Sequence, residues 1–163
     1  MHILVVGGGM GGTILANNLA RRLSGELEQG SSKITMLSAS DKHMYQPGLL
    51  YVAVGKMSTT ELYRDQKSLL EPSIDFHVDP VEKFDLDNNS VTTKSGKKIS
   101  YDIICIATGS RGNAAGIPGL AENACQFYTE ADALAMYKKL QKFEGGKVVV
   151  ATGVPHKCPM SPL

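Results

Sequence analysis

A strand, a glycine triplet and a helix at the start of the chain constrain its fold more than any other stretch. His2–Val6 (HILVV) is a short apolar run with β-branched residues, and it reads as a buried parallel strand. Gly7, Gly9 and Gly12 follow in G-x-G-x-x-G spacing, with Gly8 and Gly11 between them. Apolar residues at Ile14, Leu15, Leu19, Ala20 and Leu23 then repeat with a helical period over Thr13–Leu23. Each glycine of the triplet has a physical task. Gly7 permits the tight turn out of the strand, Gly9 lets the backbone approach a pyrophosphate, and Gly12 lets the helix lie close to the sheet. The helix start offers free N–H groups and a positive dipole end to phosphates. The spacing therefore predicts dinucleotide binding at Gly7, Gly8, Gly9, Gly11 and Gly12.

The rest of the chain supports an α/β fold of the Rossmann type, a parallel sheet with an antiparallel meander inserted in it. Gly25–Ser32 is a polar loop, and Lys33–Ser38 (KITMLS) is a second strand that completes a βαβ unit. Many dinucleotide folds place an acidic residue at the end of this strand to hold a ribose hydroxyl. This chain has Ser38, then Ser40 and Asp41, so serine hydroxyls take that place. Lys42–Gly55 is apolar and aromatic, and is broken by Pro47 and Gly48. Two readings stay open for it: a loop and short helix that complete the core, or a lid that lies against a flat ring. Thr59–Leu70 reads as an amphipathic helix capped by Ser58 or Thr59 and stopped before Pro72. Ile74–Val78 is a strand. Val81–Leu86, Ser90–Lys94 and Lys97–Ser100 form the meander, with turns at Asp87-Asn88-Asn89 and Ser95-Gly96. Tyr101–Gly109 reads as a buried strand with Cys105 as a core thiol, followed by a glycine- and proline-bearing loop over Arg111–Leu120. Thr129–Phe143 is a helix with Thr129 as N-cap and Gly145-Gly146 closing it; Lys147–Ala151 starts another buried strand. The His2–Val6 strand should lie between Lys33–Ser38 and Ile103–Ala107, with the meander to one side.

Length and composition narrow the function. The 163 residues make one domain, or one domain and the start of another, and a hydrophobic fraction of 42% allows a sizeable core. The formal charge of +1 and the scattered basic residues give no case for nucleic acid. No apolar run approaches the ~20 residues that span a bilayer, and no signal peptide precedes the first strand, so the expected compartment is the cytoplasm. Three cysteines, Cys105, Cys125 and Cys158, are too few for a disulfide scaffold, and no metal site is expected.

The glycine fingerprint, the meander and the Tyr-Asp-x-x-x-x-Ala-Thr-Gly strand at Tyr101–Gly109 together resemble the FAD-dependent pyridine nucleotide-disulfide oxidoreductases, flavoproteins with two dinucleotide-binding domains. The resemblance implies FAD at Gly7–Gly12, with Thr108 and Gly109 close to it and the backbone of Val81 at the adenine edge. It also implies a FAD-binding unit over 1–120 and, over 121–163, the start of a second βαβ unit that in relatives usually binds NAD(P)H. Within the family the chain resembles the sulfide:quinone oxidoreductase and flavocytochrome c sulfide dehydrogenase branch. Tyr45-Gln46-Pro47-Gly48 with Val54-Gly55 resembles the loop beside the isoalloxazine. Pro155-His156-Lys157-Cys158-Pro159 resembles the segment that carries a redox cysteine. The branch implies sulfide as donor, quinone as acceptor and Cys158 as a catalytic cysteine. The family's other early cysteine falls near Cys125 or Tyr128, which makes Cys125 a second candidate. The chain looks like the N-terminal portion of such a protein. Relatives carry a membrane-associating C-terminal part, so peripheral attachment at the cytoplasmic membrane is expected. A Lys147–Ala151 strand without a covering helix predicts a homo-oligomer.

One feature of the residues supports this branch independently. An NAD site needs glycines after the second unit's first strand, with N–H groups facing the pyrophosphate. In KVVVATGVPHKC only Gly153 is in place, and Pro155 has no N–H. Cys158 stands just past that strand, where doubly wound sheets place their ligands, and His156 and Lys157 favour its thiolate. The competing readings are a type II NADH:quinone or ferredoxin-reductase-like flavoprotein, and a non-catalytic FAD-binding fragment.

Overall fold

The structure, a computed structural model, describes residues 1–151. In chain order the elements are β1 (His2–Val6), α1 (Met10–Arg22), α2 (Ser24–Glu28), β2 (Lys33–Ser38), β3 (Lys42–Met44), α3 (Leu49–Ala53), β4 (Tyr63–Asp65), β5 (Ile74–Val78), β6 (Val81–Asp85), β7 (Ser90–Thr93), β8 (Lys98–Ser100), β9 (Ile103–Ile106), α4 (Leu120–Asn123) and α5 (Glu130–Leu140).

The main sheet has the order β5-β2-β1-β9, and every pairing in it is parallel. β1 lies between β2 and β9, as expected from the sequence. Its side chains alternate between two cores, as the two-residue period of a strand requires. Ile3 and Val5 join Ala16 and Ala20 of α1 with Ile34, Met36 and Ile74. Leu4 and Val6 join Leu37, Val91 and Tyr101 on the other face, which the β6-β7-β8 meander covers. α1 meets the sheet through Gly12, Thr13, Ala16 and Ala20, whose small side chains permit a close approach.

A third cluster decides the role of the apolar loop. Leu49, Val52 and Ala53 of α3 are buried with Leu62 and with Ala133 of α5. Burying each leucine contributes ~2 kcal/mol. The loop-and-short-helix reading of Lys42–Gly55 therefore describes one side of α3. On its other side Leu50, Tyr51 and Val54 are about half exposed. α5 begins with the expected Thr129 cap, a capping box closed by Asp132. It is fastened to β4 by the Tyr63 hydroxyl, which donates to the Glu130 carboxylate. That hydrogen bond, with burial and the Glu130 charge, raises the pKa of Tyr63. Gly55 takes φ +71°, and a Cβ there would lie 2.4 Å from the Tyr137 ring. Gly55→Ala is expected to lower stability by about 1–3 kcal/mol, read as a lower thermal midpoint, and Tyr137→Ala in the same protein should recover part of the loss.

Four expectations need correction. Gly25–Ser32 is not all loop: α2 occupies Ser24–Glu28, because Leu23 and Leu27 pack against the first core cluster. Thr59–Leu70 is not a helix. After a Ser58–Glu61 capping box and a short 3₁₀ turn at Thr59–Leu62, β4 pairs antiparallel with β3. Leu62 and Gln66 are both fully buried, and their four-residue spacing imitates a helix face. β9 is less buried than expected: among the described residues it is an edge of the sheet, with Ile103 and Ile106 exposed at 45% and 57%. Lys147–Ala151 is not a buried strand. No described strand pairs with it, and Val148, Val149 and Val150 are 64%, 76% and 89% exposed.

Candidate functional site

Three distant pieces of sequence meet at the carboxyl ends of β1, β2 and β9. Past the end of β1, the Gly7 N–H donates to Leu37 O at 2.8 Å; past the end of β9, the Ala107 N–H donates to Val6 O at 2.8 Å. The glycine loop is thus held against both neighbouring strands. Gly7 takes φ +117°, and a Cβ there would lie 2.3 Å from Ala107 O and 3.1 Å from the Thr108 nitrogen. The Ala-Thr-Gly turn and the fingerprint are therefore in contact, and Gly109 completes the turn with φ +78°. A Cβ on Gly12 would lie 1.9 Å from Gly7 O. A Cβ on Gly8 would lie 2.6 Å from the Ser38 hydroxyl. Gly7, Gly8 and Gly12 are fixed by close approach inside the fold. Gly9 and Gly11 are different: a Cβ on either meets nothing within 4 Å. Their freedom from side chains leaves open space above the start of α1. No side chain caps that helix, and its first turn holds no acidic residue. Its N–H groups and positive end are available to an anion.

The other sequence candidates are placed as follows. Ser38 is buried beside Gly8, and its hydroxyl accepts from the Ser40 N–H at 3.3 Å. Exposed Ser40 accepts from the Lys42 N–H at 3.0 Å. Val81 packs into the cluster with Val6 and Leu37, under the same end of the sheet. Pro47 lies exposed in the 3₁₀ turn Gln46–Gly48 that leads into α3. Cys125 is exposed between α4 and α5. The Tyr128 hydroxyl contacts Ser110 just after the Ala-Thr-Gly turn, donating to its backbone carbonyl at 3.1 Å. Cys105 is half-buried against the first core cluster, consistent with a core thiol. Cys105→Ser is expected to cost about 1 kcal/mol of stability and to leave ligand binding unchanged in a titration. Cys158, with His156 and Lys157, lies outside the described residues.

Sequence reading passed over three residues beneath the glycine loop. Thr13 of α1, His43 of β3 and Gln66, just after β4, form a polar group around Gly8 O. Gln66 is 0% exposed. One signal was legible: a histidine, His43, directly before the apolar pair Met44-Tyr45.

A parallel sheet with a glycine loop of this geometry at its carboxyl end defines a dinucleotide-binding fold of the Rossmann type. Residues 1–154 match the family described as pyridine nucleotide-disulphide oxidoreductase, and the chain belongs to that family. It is 37% identical over 152 residues to a sulfide-quinone reductase of Aquifex aeolicus, covering 91% of this chain and 34% of that protein. It is 30% identical to the mitochondrial sulfide:quinone oxidoreductase of Mus musculus, covering 99% and 36%. The crystal structure of the Aquifex aeolicus sulfide:quinone oxidoreductase superposes with a TM-score of 0.71 at 33% identity, over 86% of this chain and 32% of that one. The chain spans about a third of the length of these relatives. Among the described residues no helix is long and apolar enough to cross a membrane.

Proposed function

We propose that this chain is the FAD-binding part of a flavoprotein that oxidises sulfide and passes the electrons to a quinone. The observation that carries the cofactor assignment is the open space at Gly9 and Gly11 before an uncapped helix start. The family is FAD-dependent, and the residues present fit the group. Gly9, Gly11 and the first turn of α1 would hold its pyrophosphate. Ser38 and Ser40 would flank the adenosine ribose, with the Val81 backbone at the adenine edge, and Thr108 and Gly109 would line the opposite side. FAD, when bound, supplies the two-electron redox chemistry. The exposed side of the α3 region, with Tyr45, Leu50, Tyr51 and Val54, would shield the flat ring from water, with Pro47 setting its approach.

The likeness to sulfide-quinone reductases over most of this chain supports sulfide as donor. So does Pro155, which removes an N–H where nicotinamide binding would use one. In this reading Cys158 stands in a disulfide with a distal cysteine of the whole protein. Sulfide attacks that bond; one sulfur keeps the added atom as a persulfide and the other leaves as a thiolate, and FAD, when bound, would accept the two electrons. Cys125 is a second thiol on the substrate side. Residues 1–120 belong to the FAD unit and 121–163 begin the second unit, which α5 ties to the α3 loop. Quinones dissolve in lipid, so peripheral attachment to the cytoplasmic membrane is part of the proposal; self-association is proposed separately. The testing experiment is acid extraction of purified protein carrying this chain, followed by assay of sulfide-dependent quinone reduction. FAD in near-equal ratio to protein, with activity, supports the proposal; absence of flavin contradicts it.

A further inference from the structure

We propose that Thr13, His43 and Gln66 form a lock on the Gly8–Gly9 peptide, holding it in the one orientation that presents the Gly9 N–H to the pyrophosphate. The inference rests on the cofactor reading above and assigns positioning roles to three residues outside the glycine motif.

Gly8 O accepts from the Thr13 hydroxyl at 3.3 Å and from His43 Nδ1–H at 3.1 Å. His43 Nδ1 also lies 3.1 Å from Gln66 Oε1 and 3.4 Å from the Thr13 oxygen. Gln66 Nε2 donates to Thr13 Oγ1 at 2.9 Å. These distances form one consistent donor–acceptor scheme. With the amide of Gln66 donating to Thr13, the threonine proton is left for Gly8 O. With Gln66 Oε1 and Gly8 O both facing His43 Nδ1, that nitrogen carries its proton. Turning the Gln66 amide round would instead aim a nitrogen donor at His43 Nδ1 and leave that ring nitrogen's lone pair facing the Gly8 carbonyl. In the scheme given each of these contacts sets a donor against an acceptor, with the single Nδ1 proton shared between Gly8 O and Gln66 Oε1.

The consequence for the loop follows from peptide geometry. In a trans peptide the C=O and the next N–H point in opposite directions. With Gly8 O held inward by two donors, the Gly9 N–H points away from the Thr13, His43 and Gln66 group; a Cβ on Gly9 also meets nothing within 4 Å. Gly9 O is engaged in turn, accepting the Thr13 N–H at 2.9 Å. A reversed Gly8–Gly9 peptide would aim a carbonyl oxygen at the pyrophosphate. Glycines permit that reversal readily, so a loop built of them needs an external restraint. Gln66 is fully buried and Thr13 is 7% exposed, so water is kept from the bond between them, while His43 is half-buried. The antiparallel β3–β4 pair supplies the two distant members: His43 stands opposite Arg64 in its register, and the Gln66 N–H is anchored on Asp41 O at 2.7 Å. Fixing the peptide before the ligand arrives removes part of the ordering cost of binding.

The test uses protein carrying this chain, stripped of flavin and refilled. FAD affinity is read by flavin fluorescence quenching, pyrophosphate placement by ³¹P NMR of bound FAD, and folding by circular dichroism and Tm. Thr13→Val and His43→Leu each remove one donor to Gly8 O. Each is expected to weaken FAD binding on the order of tenfold and to shift the ³¹P resonances. Thr13→Ser and His43→Asn keep a donor at the same place, and should return affinity to within about threefold of wild type with its ³¹P shifts. Folded Thr13→Val and His43→Leu proteins with wild-type affinity and wild-type ³¹P shifts would overturn the lock. If the wild-type protein takes up no FAD, the cofactor reading itself falls, and the lock with it.

Discussion

Gly9→Val leaves the protein folded and removes its FAD. A side chain at Gly9 meets no protein atom within 4 Å, and Gly9 takes an ordinary extended conformation with φ −74°. Valine therefore costs the fold little, and what it displaces is the ligand, by occupying the space through which a pyrophosphate approaches the start of α1. The expected loss is on the order of a hundredfold in FAD affinity or more, since the bulk prevents charge-assisted contacts with the helix N–H groups. Gly12→Val should fail differently. Its Cβ would lie 1.9 Å from Gly7 O, backbone that cannot step aside, so α1 would have to leave the sheet. Several kcal/mol of stability should be lost there, visible as insoluble or low-melting protein. The measurement is flavin absorbance set beside thermal unfolding. A folded Gly9→Val protein that keeps its flavin would show that the fingerprint serves the fold alone.

Cys158→Ser should abolish sulfide-dependent quinone reduction while FAD stays bound. The prediction rests on sequence, because Cys158 lies outside the described residues. It follows the KVVVA segment, and His156 and Lys157 are close enough in sequence to favour its thiolate. A serine hydroxyl ionises so much less readily that the loss should be at least on the order of a thousandfold. Cys105→Ser is the control, since Cys105 packs against the sheet core and faces no site. Wild-type rates in Cys158→Ser would remove the cysteine from the mechanism.

The sequence made the centre of the fold legible and its margins less so. β1, the glycine loop and α1 were readable because a strand, three spaced glycines and a helical period agree over adjacent residues. The meeting of Gly7 with the Ala107–Gly109 turn was readable only through family resemblance, since the two are joined by the sheet and not by any local pattern. Thr59–Leu70 misled because burial of Leu62 and Gln66 carries a four-residue spacing, while the pairing of Tyr63–Asp65 with Lys42–Met44 depends on a partner strand. Lys147–Ala151 has strand composition, yet composition does not supply a neighbour. Thr13, His43 and Gln66 were missed because no spacing links them; the β3–β4 pairing brings His43 and Gln66 together beside Thr13 of α1.

The most direct test of the sulfide reading is anaerobic mixing of the purified, FAD-loaded protein with sulfide, and separately with NADH, while the flavin band is followed. The reading predicts that sulfide bleaches the band, that added quinone restores it, and that NADH leaves it unchanged. Bleaching by NADH with no response to sulfide would contradict it and identify a nicotinamide-dependent flavoprotein instead.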